Sequence, residues 1–189
     1  MSLYKKTEQF VIKTFTKKHD GIGIKHFLRT VYWIKQLKPN ADEALLIAAI
    51  AHDLERGYRN AASYNKITKS KKGFRSKAHL IHHQEEGARR IAEFLVKQNA
   101  AKKLITRVKM LVSKHEIGGN NDQNLLKDAD SLSFFENNVG KFIKKAKEKG
   151  KQKIKDKFNW MFNRLTSKKA RQIARPWYKA ALNKLRTVN

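Results

Sequence analysis

The chain has 189 residues and no cysteine, and its 43 Lys and Arg outweigh 16 Asp and Glu to give a formal charge of +27. That length suits one domain with a real core and is too short for two of ordinary size, while the missing thiols exclude disulfides and thiolate metal sites and suit a reducing, cytoplasmic setting. No apolar run approaches the roughly 20 residues needed to cross a bilayer, and Met1 to Lys18 has no uninterrupted apolar segment of the secretory kind, so no membrane association is expected.

From Tyr4 to Phe15 the apolar positions recur at a helical period, and Gly21 and Gly23 break the pattern. A second helix is expected from Ile24 to Leu37, with Phe27, Val31 and Ile34 as one stripe, His26 in its opening turn and Pro39 beyond its end. Asn40 is a good N-cap with Glu43 at the third helical position, so a third helix begins there and runs to about Asp53. Between Leu54 and Lys77 the periodicity fails, and the sequence reads as a long connection with at most one helical turn, ending in the basic stretch Lys69 to Gly73.

Ser76 can cap a helix from Lys77 to Gln98, with Leu80, Ala88, Ile91 and Leu95 inward and His79 and His83 on one face. A further helix, Ala101 to Glu116, carries Leu104, Val108, Leu111 and Val112 inward and His115 at its end. After a turn at Gly118 to Asn121 comes another helix, Leu125 to Asn137. No stretch alternates with period two for long enough to make a strand, so the expected fold is all-α. The segment from Lys141 to Asn189 holds seventeen Lys and Arg against two acidic residues, yet its Phe, Trp, Ile, Met and Leu are too many for a disordered tail. It reads as two amphipathic helices, the first from Lys141 to Asn163 and the second after Ser167 and interrupted by Pro176, docked on the rest as a basic extension within a single domain. Such charge draws in polyanions and anionic substrates. Nucleic acid is one such partner, and a general bias toward lysine explains the numbers equally well.

The stretch Ala44 to Asp53 is apolar and helix-prone, and it ends on an imidazole beside a carboxylate. A run this apolar belongs in a core, where His52 and Asp53 cost several kcal/mol unless satisfied. Adjacent helical residues point about 100° apart, so the two close on one small object only above the helix end. A metal ion meets that condition, and a hydrogen-bonded core histidine is the plainer alternative. Further residues of ligand type stand near the ends of the other expected helices: His26, His83, His115 and Asp130. Imidazoles mixed with carboxylates suit Mn, Fe, Co, Ni or Zn, with Mg also admissible, better than Ca.

In this order the sequence resembles the HD superfamily of metal-dependent phosphohydrolases, an all-helical fold named for its His-Asp pair. The resemblance runs through His26 in "KHFLRTVYWI", His52-Asp53 in "LLIAAIAHDLERG", His83 in "HQEEGARRIAEFL", His115 in "LVSKHE" and Asp130 in "KDADSLSFF", covering residues 20–140. It implies a compact helical bundle in which His26, His52, Asp53 and Asp130 form the primary metal site, with one ion or two. His83 and His115 would then bind a second metal or the substrate phosphate, and Asp128 would orient a histidine ring from outside. "HDLER" departs from the pattern of guanosine tetraphosphate hydrolases, and the "GYP" of cyclic di-nucleotide phosphodiesterases is absent.

The activity so implied is hydrolysis of a phosphoester of a nucleotide or other small phosphorylated substrate, since a divalent cation acidifies water and polarises a phosphoryl oxygen. Glu55, on the same face as His52, is a candidate to carry the proton, although pairing with Arg56 or Arg59 accounts for it equally well. Arg29, Arg56 and Lys77 are candidates to grip phosphate. Two other readings compete: a di-iron oxygenase of the same fold, and a basic nucleic-acid-binding protein with a structural metal site. His79 and His82 receive no role.

Overall fold

Residues 1–19, 23–59 and 76–188 are described in the computed structural model, and the regular elements among them are all helical. In chain order they are α1 (Leu3–His19), α2 (Ile24–Leu37), α3 (Glu43–Ala51), a 3₁₀ turn (Leu54–Tyr58), α4 (Lys77–Lys97), α5 (Lys102–Val112), α6 (Asn121–Asn137), α7 (Val139–Lys144), α8 (Ala146–Lys149), α9 (Lys151–Asn163) and α10 (Lys168–Arg186). No helix among the described residues is long and apolar enough to cross a membrane. The expected basic stretch Lys69 to Gly73 lies outside the described residues.

A helix that is apolar all round must sit at the centre, and α3 does so. Ala44, Leu45, Ile47, Ala48, Ala49, Ile50 and Ala51 are all buried, with α1, α2, α5 and α6 packed around them. Leu45, Ile47 and Ile50 each contribute about 1.5–3 kcal/mol by leaving water. The cap of this helix is Asp42 and not the expected Asn40: the Asp42 carboxylate accepts from the Leu45 N–H at 2.9 Å. The Ala41 N–H bonds the Lys38 carbonyl at 3.0 Å and holds the chain in a turn past Pro39, which delays the helix start. Glu43 closes no capping box; it accepts from the Tyr4 N–H at 2.9 Å and so ties α1 to the entrance of α3.

Ser76 caps α4 as expected, its hydroxyl accepting from the His79 N–H at 3.3 Å. Helix α5 ends at Val112, short of the expected Glu116, and residues 113–117 form turns. Helix α6 starts earlier than expected because Asn120 and Gln123 form a reciprocal capping box. The C-terminal segment packs on the same core, burying Ile154, Phe158, Met161 and Leu165 from one stretch and Ala170, Ala174, Ala181 and Leu185 from the other.

Two expectations for that segment need correction. The single helix expected from Lys141 to Asn163 is three pieces, and the break before α9 falls at Gly150, whose φ of +87° suits a residue without a side chain. The break expected at Pro176 does not occur, and α10 runs through it. Pro176 is exposed, so the carbonyl one turn earlier faces water, while Ala174 and Ala181 anchor the helix on both sides of it.

Candidate metal centre

Five stretches of chain deliver the polar residues to one buried spot. His26 stands in the first turn of α2, His52 is the C-cap of α3 with Asp53 next, and His83 lies in the second turn of α4. His115 and Glu116 sit in the turn after α5, and Asp130 is in the middle of α6. All are buried.

Each imidazole is held by its Nδ1. His52 Nδ1 donates to the Ala49 carbonyl at 2.9 Å and His115 Nδ1 to the Val112 carbonyl at 2.8 Å. His83 Nδ1 donates to Glu55 Oε2 at 2.6 Å. At His26 the partner is Ser133 Oγ, at 2.8 Å. That hydroxyl gives its one proton to the His26 carbonyl, also at 2.8 Å, so it accepts from the ring, and Nδ1 carries the hydrogen there too. The Nε2 atoms are left to face one another across Asp53 and Asp130.

Around Asp53 the donors form two overlapping groups, each with ligand atoms within 4.8 Å of one another: His26, His52 and Asp53, and Asp53, His83, His115 and Glu116. Asp130 stands beside the first group, its Oδ1 3.1 Å from His26 Nε2 and 3.6 Å from His52 Nε2; His52 Nε2 is 3.7 Å from Asp53 Oδ2. In the second, His83 Nε2 is 3.0 Å and His115 Nε2 3.8 Å from Asp53 Oδ1. His52 Nε2 and His115 Nε2 are buried without a hydrogen-bond partner.

Burial opposes ionisation of these acids, and cations overcome it. Arg56, then His52, hold the Asp53 carboxyl well below the usual range, and Arg164 with His26 and His52 does the same for Asp130. Glu116 is lowered against its burial, chiefly by Arg164. Burial pushes His115 down and keeps its ring neutral, whereas Asp53 and Asp130 raise His52 despite its burial. Lys157 is pushed down to about 8 by burial beside Arg164 and Arg56.

Of the residues expected at the site, His26, His52, Asp53, Asp130, His83 and His115 are gathered there. Arg56 is at its rim, its side chain 45% exposed and its Nε 3.0 Å from Asp53 Oδ1. Glu55 reaches the centre through His83: its carboxylate accepts from His83 Nδ1 and from Arg59 Nε at 2.9 Å, which makes it the support of the His83 ring. The others are engaged elsewhere. Arg29 is committed to Glu136 at 2.8 and 2.6 Å. Lys77 is the exposed first residue of α4. Asp128 orients no histidine; its two oxygens accept from the Thr166 and Ser167 N–H groups at 2.7 and 2.8 Å, fixing the turn between α9 and α10. His79 stacks on His83 with ring centres 6.0 Å apart, burial pushes it down to about 4, and His82 is exposed.

Sequence reasoning missed Glu116, Ser133 and Arg164. Glu116 is adjacent to a flagged histidine in "KHE", which was a usable signal. Arg164, the C-cap of α9, donates Nη1 to Glu116 and Nη2 to Asp130, and its Nε donates to Ser131 Oγ at 2.8 Å. Nothing sets it apart from the other basic residues of the C-terminal segment.

Divalent metal bonds of about 2.1 Å put neighbouring donors roughly 3.0–3.4 Å apart, close to the 3.1 and 3.6 Å from Asp130 Oδ1 to His26 and His52 Nε2 and the 3.7 Å from His52 Nε2 to Asp53 Oδ2. Fixed tautomers, bare buried Nε2 atoms and ionised carboxylates fit a cation. The fold and site thus define an all-α protein with a buried His/Asp/Glu centre able to hold a metal ion. Residues 12–184 match a family described as a domain of unknown function, DUF4202, and the chain belongs to that family. No curated protein and no solved structure matches it.

Proposed function

We propose that this protein is a metal-dependent phosphohydrolase of the HD type, cleaving a phosphoester of a nucleotide or other small phosphorylated molecule in the cytoplasm. The observation that carries the reading is the convergence of imidazole Nε2 atoms and carboxylates on one buried spot with an arginine at its rim. A bound divalent cation supplies Lewis-acid polarisation of a phosphoryl oxygen and acidification of water. His26, His52, Asp53 and Asp130 hold it. Arg56, half-exposed at the entrance, orients the phosphate by paired N–H bonds. His115 keeps a bare Nε2 3.8 Å from Asp53 Oδ1, which makes it the base able to take a proton from attacking water.

Elemental analysis of freshly purified protein should find a transition metal, and a panel of nucleotides and sugar phosphates assayed with Mn, Co, Ni, Fe or Mg should release phosphate. Asp53→Ala should lose both metal and turnover while keeping its helical content. A metal-free protein inert on the whole panel would overturn the reading.

A second reading rests on the outer faces of α9 and α10, where Lys151, Lys153, Lys155, Lys168, Lys169 and Lys179 are exposed. They favour nucleic acid, bound through phosphates with an affinity that falls steeply as salt rises. Absence of association with duplex or single strands at low salt removes it.

A further inference from the structure

The two donor groups around Asp53 differ in what already neutralises them. In the first, Asp53 Oδ2 and Asp130 Oδ1 face His26 and His52, and the other Asp130 oxygen, Oδ2, is bonded by Arg164 Nη2. In the second, Asp53 Oδ1 is 3.0 Å from Arg56 Nε and 3.0 Å from His83 Nε2. Glu116 Oε1 is 3.7 Å from Arg56 Nη2, and Glu116 Oε2 is bonded by Arg164 Nη1. Arg164 is held there firmly: its side chain is 7% exposed, Ser131 accepts from its Nε, and its guanidinium lies 4.7 Å from the Trp160 ring centre.

Resting on the phosphohydrolase reading, we propose that this chain binds a single divalent cation, at His26, His52, Asp53 and Asp130. The guanidinium of Arg56 at the second donor group, and that of Arg164 bridging Glu116 of the second to Asp130 of the first, serve as the fixed positive charge that excludes a second ion and receives the anionic oxygens of a phosphomonoester. Two delocalised, always-charged groups whose donors lie in a plane match a phosphate dianion better than they match a water-filled cation shell. Once they claim Glu116 and Asp53 Oδ1, the polar atom of this group left without a partner is His115 Nε2, and the substrate phosphate is seated beside it. The C-terminal extension therefore supplies part of the substrate site and is more than a basic coat.

The test is metal stoichiometry after saturation with Mn and with Co followed by desalting, read by elemental analysis, together with calorimetric binding of inorganic phosphate to the loaded protein. Wild type should hold one ion per chain. Arg164→Gln should rise toward two ions and bind phosphate at least tenfold more weakly, while Arg164→Lys stays at one. Should Arg164→Gln fail to fold, the partly exposed Arg56→Gln carries the same expectations. Two ions in wild type, or unchanged stoichiometry and phosphate affinity in both glutamine variants, would overturn the proposal and leave the hydrolase reading standing, the first outcome pointing to the di-iron alternative. A wild-type protein that retains no ion would sink the hydrolase reading itself.

Discussion

Ser133 shows how one hydroxyl can set the chemistry of a ring. By donating to the His26 carbonyl and accepting from His26 Nδ1 it fixes the ring so that Nε2 is turned onto Asp130 Oδ1, 3.1 Å away. Ser133→Ala leaves the carbonyl its bond from Thr30 Oγ1 at 2.9 Å, so the loss falls on the ring. Loss of such supporting bonds weakens metal binding by about 10–100-fold, and the expected stability loss is only about 1 kcal/mol; chelator competition run beside urea denaturation separates the two. Gly87 illustrates a steric constraint at the same site. A Cβ there would lie 3.4 Å from the His52 carbonyl oxygen and 3.6 Å from Val112 Cγ1. Gly87→Ala should therefore fit and gain about 0.5–1 kcal/mol of helix stability. Gly87→Leu should push α4 off the centre and lose both stability and metal, as a melting curve and a metal assay would show. The histidines and acids themselves were legible, because polar residues at the end of an apolar run need a partner. Their supports were not, since a serine or glutamate that anchors a ring looks like any other until the fold places it.

At the scale of elements, α2 and α6 are clamped outside the site by Glu136, which accepts from Arg29 and, at 3.0 Å, from Trp33 Nε1. Burial works against its ionisation, but Arg29 and Trp33 outweigh that and hold its pKa below the ordinary carboxylate value. A carboxylate lowered in the folded state adds stability that is complete above its unfolded pKa, about 4.3, and is lost as pH falls through the lower folded value. Glu136→Gln should thus cost about 1 kcal/mol at neutral pH, given partly exposed partners. The gap from wild type should close as pH drops from about 5 toward 3, which denaturation at a series of pH values would reveal. Most helices could be read from apolar spacing, α2 with the same bounds. The ends could not: whether Asn40 or Asp42 caps α3 depends on a turn after Pro39, and whether Pro176 breaks α10 depends on the alanines packed on either side of it.

Across the whole molecule, the apolar core runs from α1 to α10 without interruption, so the basic segment and the metal centre are mechanically one. Phe158 is fully buried, and its ring centre lies 6.1 Å from that of Phe134. Phe158→Ala should cost about 3–5 kcal/mol and, by loosening α9, should release Arg164 from Glu116 and Asp130. A lowered melting temperature accompanied by a change in metal content would confirm that linkage; a lowered melting temperature alone would refute it. That the segment docks could be inferred from its aromatics, whereas its delivery of a guanidinium into the centre is a tertiary fact with no local trace. Arg164 also follows every acid of the centre in chain order. Glu116 and Asp130 both precede the guanidinium that bonds them, so a chain cut short ahead of α9 would bear two acids stripped of a shared counterion, prone to scavenge stray cations.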